Sequence, residues 1–257
     1  MQIGIVGKGR VGSALLRNLP GSLGVTDFNS RDSLVQACDV IFITVPDRAI
    51  EEVAKALAKG DLEGKTFFHC SGSLGVENLS VLAKHGAQVG SLHPLQSFGS
   101  LSADFVGVYM ALAGSSQAQK IGKEIAGLLG AKTFYVPEAE RRLYHAAACL
   151  ASNYVVTLVS EAQSIISKWT GDDKAALEAL LPLLAGTLHN LQQTSLAATT
   201  LTGPIGRGDV DTVVGHLEVL PQKYHEVYKA LGTLTVNIAE QNKSITEQQA
   251  RSLKKIL

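Results

Sequence analysis

The first half of the chain alternates short apolar runs, rich in β-branched residues, with stretches in which apolar residues recur at helical spacing. The clearest run is DVIFITV, and a continuous apolar run of this kind is typical of a strand that is covered on both faces of a parallel sheet. The pattern predicts strands at 3–6, 24–28, 39–45, 66–69, 88–91, 108–113 and 133–136, and helices at 10–19, 31–37, 50–58, 79–84 and 116–129. Strands that alternate with helices predict parallel pairing through right-handed crossovers.

After Pro137 the pattern changes, and only helical spacing follows. The predicted helices cover 138–169, 173–193, 210–220, 221–240 and 246–256, and a glycine-rich loop is predicted over 199–208. Gly171 marks the end of the first of these helices, and Asp209 is expected to cap the third. We therefore expect an α/β fold, with a mostly parallel sheet in residues 1–137 and an all-helical domain in residues 138–257.

Composition excludes several classes of protein. The 257 residues are 46% hydrophobic and 18% charged, and the 23 basic and 23 acidic residues give a formal net charge of zero. A disordered chain needs low hydrophobicity and high net charge, so this chain is expected to fold. Zero net charge gives no reason to expect nucleic acid or an anionic membrane as a partner. The low charged fraction favours an oligomer that hides part of the surface.

The cysteines and the chain start indicate a compartment. Cys38, Cys70 and Cys149 are far apart and form no CxxC pair, which argues against a disulfide framework and favours a reducing environment. The chain opens with the strand-like MQIGIVG, so no signal peptide is expected. The longest stretch without a charged residue, 179–206, is too polar to span a bilayer. A cytoplasmic protein is therefore expected.

The segment GKGRVG after the first predicted strand fits the dinucleotide-binding pattern G-x-G-x-x-G, with Gly7, Gly9 and Gly12 as its glycines. Gly7 permits a tight turn, Gly9 lets backbone approach a diphosphate, and Gly12 lets the helix pack on the strand. The N-terminus of the helix that begins near Arg10 offers unpaired N–H groups to the phosphates. A glycine-rich turn without a ligand is the alternative, but the strand–turn–helix context favours a Rossmann-like cofactor site.

The residues that follow the second strand are expected to determine which of the two nicotinamide cofactors, NAD or NADP, is bound. NAD enzymes place an acid about 20 residues after the glycines to bind the ribose 2′-hydroxyl, and Asp27 and Asp32 lie near that distance. Ser30 and Arg31 follow the same strand, and such a pair can hold a 2′-phosphate through charge-assisted hydrogen bonds. Arg31 would equally serve as a solvated residue at a helix start. The sequence favours NADP slightly and leaves NAD open.

Polar residues follow three of the predicted strands, in the segments TVPD, HCSG and HPLQSF. Ligands of open parallel sheets bind beyond these strand ends. His93 is the best-placed acid–base candidate, because an imidazole exchanges protons near neutral pH. The alternative role is a histidine bonded to backbone. His69, Cys70 and His93 could imitate a metal site, but their spacing matches no zinc pattern and no metal is expected.

The long predicted helix that follows residue 137 carries His145, Cys149 and Asn153 on one face. His145 and Asn153 lie two turns apart, so both could line a pocket wall, or both could be satisfied polar groups at a helix contact. Arg207, between two glycines, could clamp a substrate carboxylate or be a solvated loop residue.

Several motifs together resemble a known family. The glycine loop, DVIFITVPD, HCSG, SLHPLQSF and LTGPIGRGD are similar to those of predicted oxidoreductases with a Rossmann-like N-terminal domain and an uncharacterised all-helical C-terminal domain. That family looks related to hydroxyacid dehydrogenases, ketopantoate reductase, pyrroline carboxylate reductase and prephenate dehydrogenase. The resemblance implies that the helical domain closes the nicotinamide pocket and forms a homodimer.

The resemblance also implies roles for individual residues. The residues expected at the diphosphate are Gly7, Gly9, Arg10, Val11 and Gly12, and those expected at the nicotinamide half are Val45, Pro46 and Ser71. His93 resembles the histidine that contacts the reacting hydroxyl in prephenate dehydrogenases. Asn153 resembles the asparagine on the interdomain helix of hydroxyacid dehydrogenases.

One position departs from the related enzymes. Hydroxyacid dehydrogenases and ketopantoate reductase carry a lysine one turn before the asparagine, where this chain has Cys149.

The resemblance as a whole implies hydride transfer between NAD(P) and a small keto or hydroxy acid, with ketopantoate as one substrate. His93 or His145 would supply the proton, Asn153 and Ser71 would orient the oxygen, and Arg207 would hold a carboxylate. The missing lysine keeps a second hypothesis open, a dinucleotide-binding sensor that does no chemistry.

Overall fold

A computed structural model describes residues 1–25, 30–99 and 104–257 of the chain. Seven strands form one sheet in the order β2-β1-β3-β4-β5-β6-β7. The strands are β1 (Ile3–Val6), β2 (Leu23–Val25), β3 (Val40–Ile43), β4 (Thr66–His69), β5 (Gln88–Pro94), β6 (Tyr109–Gly114) and β7 (Lys132–Tyr135). All neighbouring strands pair in parallel except β5 and β6. The predicted mostly parallel α/β sheet is confirmed.

The antiparallel pair β5–β6 is the exception in the mostly parallel sheet that we expected, and the alternation of strands and helices did not indicate it. A parallel partner needs a crossover of a dozen or more residues, usually with a helix. The described residues between Pro94 and Tyr109 contain no helix, and Leu95 N–H already donates to the Tyr109 carbonyl at 2.8 Å. Without a covering helix in these residues, the chain turns back beside β5. The sequence pattern did not identify this pair, because the alternation of strands and helices does not test an individual connection.

Helices cover both faces of the sheet. They are α1 (Arg10–Asn18), α2 (Arg31–Ala37), α3 (Asp47–Leu57), α4 (Ser80–Lys84) and α5 (Ser116–Leu128). Strand side chains alternate between faces. Val40 and Phe42 of β3 accordingly join a buried cluster with α1 and α5, whereas Ile41 and Ile43 join a second cluster with α2, α3 and α4. Burial on both faces explains why this strand has no polar alternation.

The rest of the chain is helical in its described elements. They are α6 (Arg141–Ala151), α7 (Asn153–Thr170), α8 (Asp173–Gln192), α9 (Gly203–Gly206), α10 (Val210–Val219), α11 (His225–Gln241) and α12 (Glu247–Ile256). The Asp209 carboxylate accepts from Thr212 N–H, so the predicted cap is present. A short helix, α9, occupies part of the predicted loop 199–208. Before α11, residues Gln222–Tyr224 form a 3₁₀ turn, so the α-helix begins four residues after Pro221.

The single helix predicted over 138–169 is wrong. Ser152 has φ −128° and ψ −71°, which ends α6 before α7 begins at Asn153. Ser and Asn side chains compete with helical hydrogen bonds and favour helix ends, so the Ser-Asn pair is a break that hydrophobic spacing does not reveal. Among the described residues, one helical stretch, Glu138–Thr170, is long and apolar enough by composition to cross a membrane. One such stretch alone is weak evidence, since core helices of soluble proteins also meet this criterion.

The packing of the chain divides it into two compact units, Met1–Leu158 and Val159–Leu257. The first contains the sheet, α1–α5 and α6. The core of the second contains Ile205, Val213, Val236, Ala250 and Leu253. The division into a sheet domain of residues 1–137 and a helical domain of residues 138–257 stays a prediction.

Helix α1 packs closely against the ends of β1 and β3 at Gly12, which has no side chain. A Cβ on Gly12 would overlap the Gly7 carbonyl oxygen and lie 2.5 Å from Thr44 Oγ1. Both neighbours are fixed, because the Thr44 hydroxyl donates to the Gly7 carbonyl at 2.7 Å. The glycine is therefore required by packing as well as by any ligand.

We predict that Gly12→Ala lowers the free energy of unfolding by about 2 kcal/mol, because backbone must shift to admit the methyl group. Gly127→Ala in α5 is the matched control, since nothing lies within 4 Å of the position of its Cβ. It should raise stability by about 0.5 kcal/mol, because alanine is a better helix former. Urea unfolding of both variants measures the difference. Equal stabilities for the two variants would contradict this packing.

Candidate active site

The glycine turn between β1 and α1 has the shape that a dinucleotide site requires. Gly7 has φ +101°, in the region that favours glycine. Around Gly9 the space is open, because a Cβ there would have one neighbour within 4 Å, the Thr44 carbonyl oxygen at 3.9 Å. No side chain caps the N-terminus of α1. Its first N–H groups therefore remain available to an anion beside Gly9.

A basic cavity of about 320 Å³ opens beside this turn. Its lining residues are Lys8, Gly9, Arg10, Ser13, Arg17, Phe98 and Gly99. Lys8 and Arg10 lie at the positive end of α1, and Arg17 lies in its last turn. Together these three cationic side chains favour a ligand with several negative charges. The residues present therefore fit a diphosphate. Val11, the remaining residue of the predicted group, packs partly buried against the core cluster that includes Leu15, so its side chain serves packing.

The residues expected at the adenosine ribose lie at the start of α2. Ser30 precedes the helix and Arg31 begins it. Asp32 forms an ion pair with Lys59 at 2.7 Å, so its carboxylate is already engaged. Asp27, the other acid considered for the ribose, lies outside the described residues. The role of Ser30 and Arg31 at a 2′-phosphate, and the alternative role of an acid at a ribose 2′-hydroxyl, stay predictions.

Ser71 organises the turn that follows β4. Its hydroxyl donates to Asp47 Oδ2 at 2.7 Å and accepts from Leu74 N–H at 3.1 Å and Ser73 N–H at 3.3 Å. These bonds use the one donor and both acceptor sites of a hydroxyl. Ser71 can bind a ligand atom only in exchange for one of them. The hydrogen bond to Asp47 brings Ser71 near the Val45–Pro46 segment, and its role at the nicotinamide end stays a prediction.

His69 is fully buried beneath that turn. Its Nδ1 accepts from Ser71 N–H at 3.2 Å, so the proton lies on Nε2, which donates to the Gly75 carbonyl at 3.1 Å. Burial, and after it the nearby Arg141 charge, lowers the pKa of His69 to about 4. This histidine is therefore a neutral structural link between β4 and its turn.

A buried arginine that sequence reasoning missed lies next to these groups. Arg141 at the start of α6 is 1% exposed, and its Nη2 donates to the Ser71 carbonyl at 2.6 Å. Its Nε and Nη1 have no hydrogen-bond partner among the described residues. Burial lowers the pKa of Arg141, but the guanidinium remains charged at neutral pH. A positive charge therefore lies under the strand ends.

His93 and His145 line one cavity of about 460 Å³, together with Asn153. The other lining residues are Leu95, Gln96, Ser97, Ala148, Cys149, Ala151 and Ser152. The two imidazole rings lie 6.1 Å apart between centroids, and His93 Nδ1 lies 2.7 Å from the Tyr144 hydroxyl oxygen. The three residues predicted to be catalytic thus share one cavity, although their roles stay predictions. Burial is the main cause that lowers the pKa of His93 to about 4, followed by Arg141 and His145.

Cys149 and Arg207 are the two remaining residues that the sequence placed near the site. Cys149 Sγ lies 4.0 Å from His145 Nδ1 on the cavity wall. Among residues 1–25, 30–99 and 104–257, no group of three or more His, Cys, Asp or Glu side chains could hold a metal ion. Arg207 is exposed at the end of α9, in the second compact unit, and lies close enough to Asp209 to lower the pKa of that carboxyl after the larger effect of Thr212. Its contact with a substrate carboxylate stays a prediction.

Sequence reasoning gave no role to Tyr144 or Asp47, and it overlooked Arg141. Asp47 belongs to the TVPD segment that the sequence already placed after a strand, although no role was assigned to it there. Tyr144 precedes His145 and was visible on the same helix. Nothing in the sequence distinguishes the buried Arg141 from the exposed Arg142 beside it.

Comparison with known proteins agrees with this geometry. Residues 108–235 match the model of a family described as a domain of unknown function, DUF2520. The chain is 26% identical to protein TM1727 from Thermotoga maritima, with 94% of this chain and 99% of that one covered and a TM-score of 0.74. No curated protein matches the chain.

Two other crystal structures extend the comparison. BF3122 from Bacteroides fragilis, named as an inferred NADP oxidoreductase, has 21% identity, covers 92% of this chain and 98% of its own, and has a TM-score of 0.72. Pyrroline carboxylate reductase from Plasmodium falciparum, with NADP bound, is 13% identical to this chain. The match covers 100% of this chain and 98% of that one, with a TM-score of 0.62. The chain has the fold of NADP oxidoreductases of this kind. The resemblance that the motifs indicated is confirmed, with a Rossmann-like sheet followed by helical segments.

We predict that stability falls as the pH drops from 7 to 5, because His69 must stay neutral in the folded chain. Its pKa is lower folded, about 4, than its ordinary value of 6.5. The unfolded state therefore binds more protons between these values, and stability that is complete above pH 6.5 is lost as the pH falls toward 4. For His69 alone the loss from pH 7 to pH 5 is about 2 kcal/mol.

Urea unfolding at pH 7 and pH 5 measures this loss. The His69→Asn variant is the control, because a neutral amide does not titrate in this range. Its unfolding free energy should fall by about 2 kcal/mol less than that of the wild-type chain. If both proteins lose the same free energy over this interval, His69 is not held neutral by burial.

Proposed function

We propose that this protein is an NADP-dependent oxidoreductase that reduces the carbonyl or imine carbon of a small carboxylate. One observation carries the proposal: the basic cavity beside the glycine turn and the histidine-lined cavity share the segment after β5. Ser97 lines the second cavity, and the next residue, Phe98, lines the first. A ligand with a diphosphate and a reactive ring at its other end can occupy both.

Both cavities lie at the carboxyl edge of the sheet, where open parallel sheets bind their ligands. NADPH, when bound, would supply the hydride. Lys8, Arg10 and Arg17 would bind the diphosphate, assisted by the open backbone at Gly9, and Ser30 and Arg31 would bind the 2′-phosphate. Val45, Pro46 and Ser71 would line the nicotinamide end. NAD is the alternative, because Asp27, the other residue considered for the ribose, lies outside the described residues.

The chain's own contribution to the reaction is orientation and a proton. His93 would give the proton to the substrate oxygen or nitrogen, with His145 beside it as the alternative donor. Asn153, on the same cavity wall, would hold the reacting atom, and Arg207 would bind the substrate carboxylate. Cys149 replaces a lysine, so proton donation falls to a histidine in this chain.

The proposed substrate class is supported by the structural neighbours and by Arg207, which we propose binds the substrate carboxylate. Structures of the same fold include pyrroline-5-carboxylate reductase from Streptococcus pyogenes and a reductive aminase from Aspergillus terreus in complex with NADPH. Their names, a reductase and a reductive aminase, support a reductive activity for this chain. Ketopantoate is the most specific substrate that we propose, on the basis of the motif resemblance.

We also propose a cytoplasmic homodimer. Helices α6, α7 and α8 carry many exposed apolar side chains, and a monomer rarely exposes a large contiguous apolar patch. The exposed residues include Leu143, Leu150, Tyr154, Val156, Trp169, Leu183 and Leu188. A second copy of the chain is the partner that the family resemblance suggests. Neither nucleic acid nor a membrane is proposed as a partner.

Mixing the purified protein with NADPH and a panel of keto acids and cyclic imino acids tests the function. We predict loss of NADPH absorbance with at least one carboxylate substrate, ketopantoate included in the panel. If the protein binds NADPH without turnover of any panel member, the sensor hypothesis replaces the enzyme.

The cofactor site has its own prediction. Arg10→Ala should weaken NADPH binding by roughly tenfold or more, because a charge-assisted bond to phosphate is worth at least 1.4 kcal/mol. Lys123→Ala, an exposed lysine on α5, should leave binding unchanged. Isothermal titration calorimetry measures both. Equal weakening in both variants would contradict a diphosphate site beside Gly9.

A further inference from the structure

Tyr144 contacts His93 at the wall of the 460 Å³ cavity. The Tyr144 hydroxyl oxygen lies 2.7 Å from His93 Nδ1, and the two rings meet edge to face, with centroids 5.6 Å apart and an interplanar angle of 82°. Phe134 of β7 also meets the tyrosine ring edge to face, with the centroids 5.7 Å apart. The tyrosine is therefore held against a strand and aimed at the imidazole.

The direction of this hydrogen bond follows from the chemistry of the two groups. Burial raises the pKa of Tyr144 to about 12, so the hydroxyl keeps its proton at neutral pH. His93 is neutral at that pH, since burial lowers its pKa to about 4. A neutral imidazole has one donor and one acceptor nitrogen. A phenol is the stronger acid and imidazole nitrogen the stronger base, so the hydroxyl donates to Nδ1.

If Nδ1 accepts, the imidazole proton lies on Nε2. Nε2 has no hydrogen-bond partner among the residues that the structure describes. Gly72 lies next to it, and a Cβ at Gly72 would lie 2.9 Å from Nε2 and 2.5 Å from His145 Cδ2. The missing side chain leaves both rings undisturbed at the cavity.

We propose that Tyr144 is a positioning residue that fixes His93 in its Nε2–H tautomer, so that His93 presents a proton donor to the acceptor atom of the substrate. This inference rests on the proposed function for its chemistry, but the tautomer itself does not. Without the tyrosine, the imidazole would be free to carry its proton on either nitrogen. His93 would then lack a fixed donor at the cavity.

The same contact supplies the proton balance of a reduction. When bound NADPH supplies the hydride to the carbonyl carbon, the Nε2–H bond would break and an O–H bond would form on the substrate oxygen. The Tyr144 proton moves to Nδ1, so His93 stays neutral and never becomes an imidazolate. The phenolate left on Tyr144 lies near the positive charge of Arg141, which favours it, and a proton from water restores the hydroxyl.

The tautomer is measured directly by ¹⁵N NMR of the full-length protein labelled at histidine, at pH 7.5. His93→Gln identifies the His93 signals. We expect a single tautomer in the wild-type protein, with Nε2 protonated and Nδ1 unprotonated. We expect Tyr144→Phe to shift both nitrogens toward the averaged values of a mixed tautomer. A wild-type His93 that carries its proton on Nδ1 overturns the proposal without any variant.

The chain offers a matched control. His216 Nδ1 lies 2.7 Å from the Tyr228 hydroxyl in the second compact unit, with the rings also edge to face. Tyr228→Phe removes the same kind of contact and should change the His216 signals while leaving His93 unchanged. If Tyr144→Phe leaves the His93 signals as they are in the wild type, the positioning role is overturned.

Turnover gives the second readout. With a substrate found in the NADPH assay, Tyr144→Phe should lower kcat by roughly tenfold or more, with little change in KM, because proton donation and not binding is impaired. Tyr228→Phe should keep the wild-type kcat. An unchanged kcat in Tyr144→Phe contradicts the proton route. If the wild-type protein turns over nothing, the proposed function fails, while the NMR result still decides the role of Tyr144.

Discussion

The close approach of α1 to the first strands is the constraint on which the candidate site depends. Gly12 lies against the Gly7 carbonyl and the Thr44 hydroxyl, and there is no room for a side chain between them. This contact places the N-terminus of α1 at the ends of β1 and β3, with Gly9 open beside it. A diphosphate can approach the helix only because all three glycines lack a side chain, and the basic residues around them lie where that charge would be.

At the neighbouring strand ends, burial and one buried positive charge determine which groups are charged. A buried guanidinium at Arg141 holds the turn after β4 through the Ser71 carbonyl, and burial keeps His69 and His93 neutral. The two histidines have different roles despite their similar pKa values. His69 uses both ring nitrogens within the fold, whereas His93 has one nitrogen bound to Tyr144 and the other beside the cavity. A neutral histidine with one free N–H is suited to donate a hydrogen bond, and with a proton supply behind it, to donate the proton.

Much of the first unit could be predicted from the sequence, because strand and helix spacing report burial directly. The continuous apolar β3, the glycine turn and the position of His93 at the end of β5 all follow from that spacing. The antiparallel β6 and the break at Ser152 could not be predicted this way, since each depends on a connection or a local competition for hydrogen bonds. Arg141 and Tyr144 were missed for a related reason. Their importance comes from what they contact in space, and neither residue type nor spacing encodes it.

The most direct test of the account is a crystal structure of the protein grown with NADPH. The account predicts the diphosphate against the N–H groups at Gly9 and Arg10, the 2′-phosphate at Arg31, and the nicotinamide ring facing the cavity lined by His93. A cofactor bound elsewhere, or a nicotinamide ring directed away from His93, would contradict it.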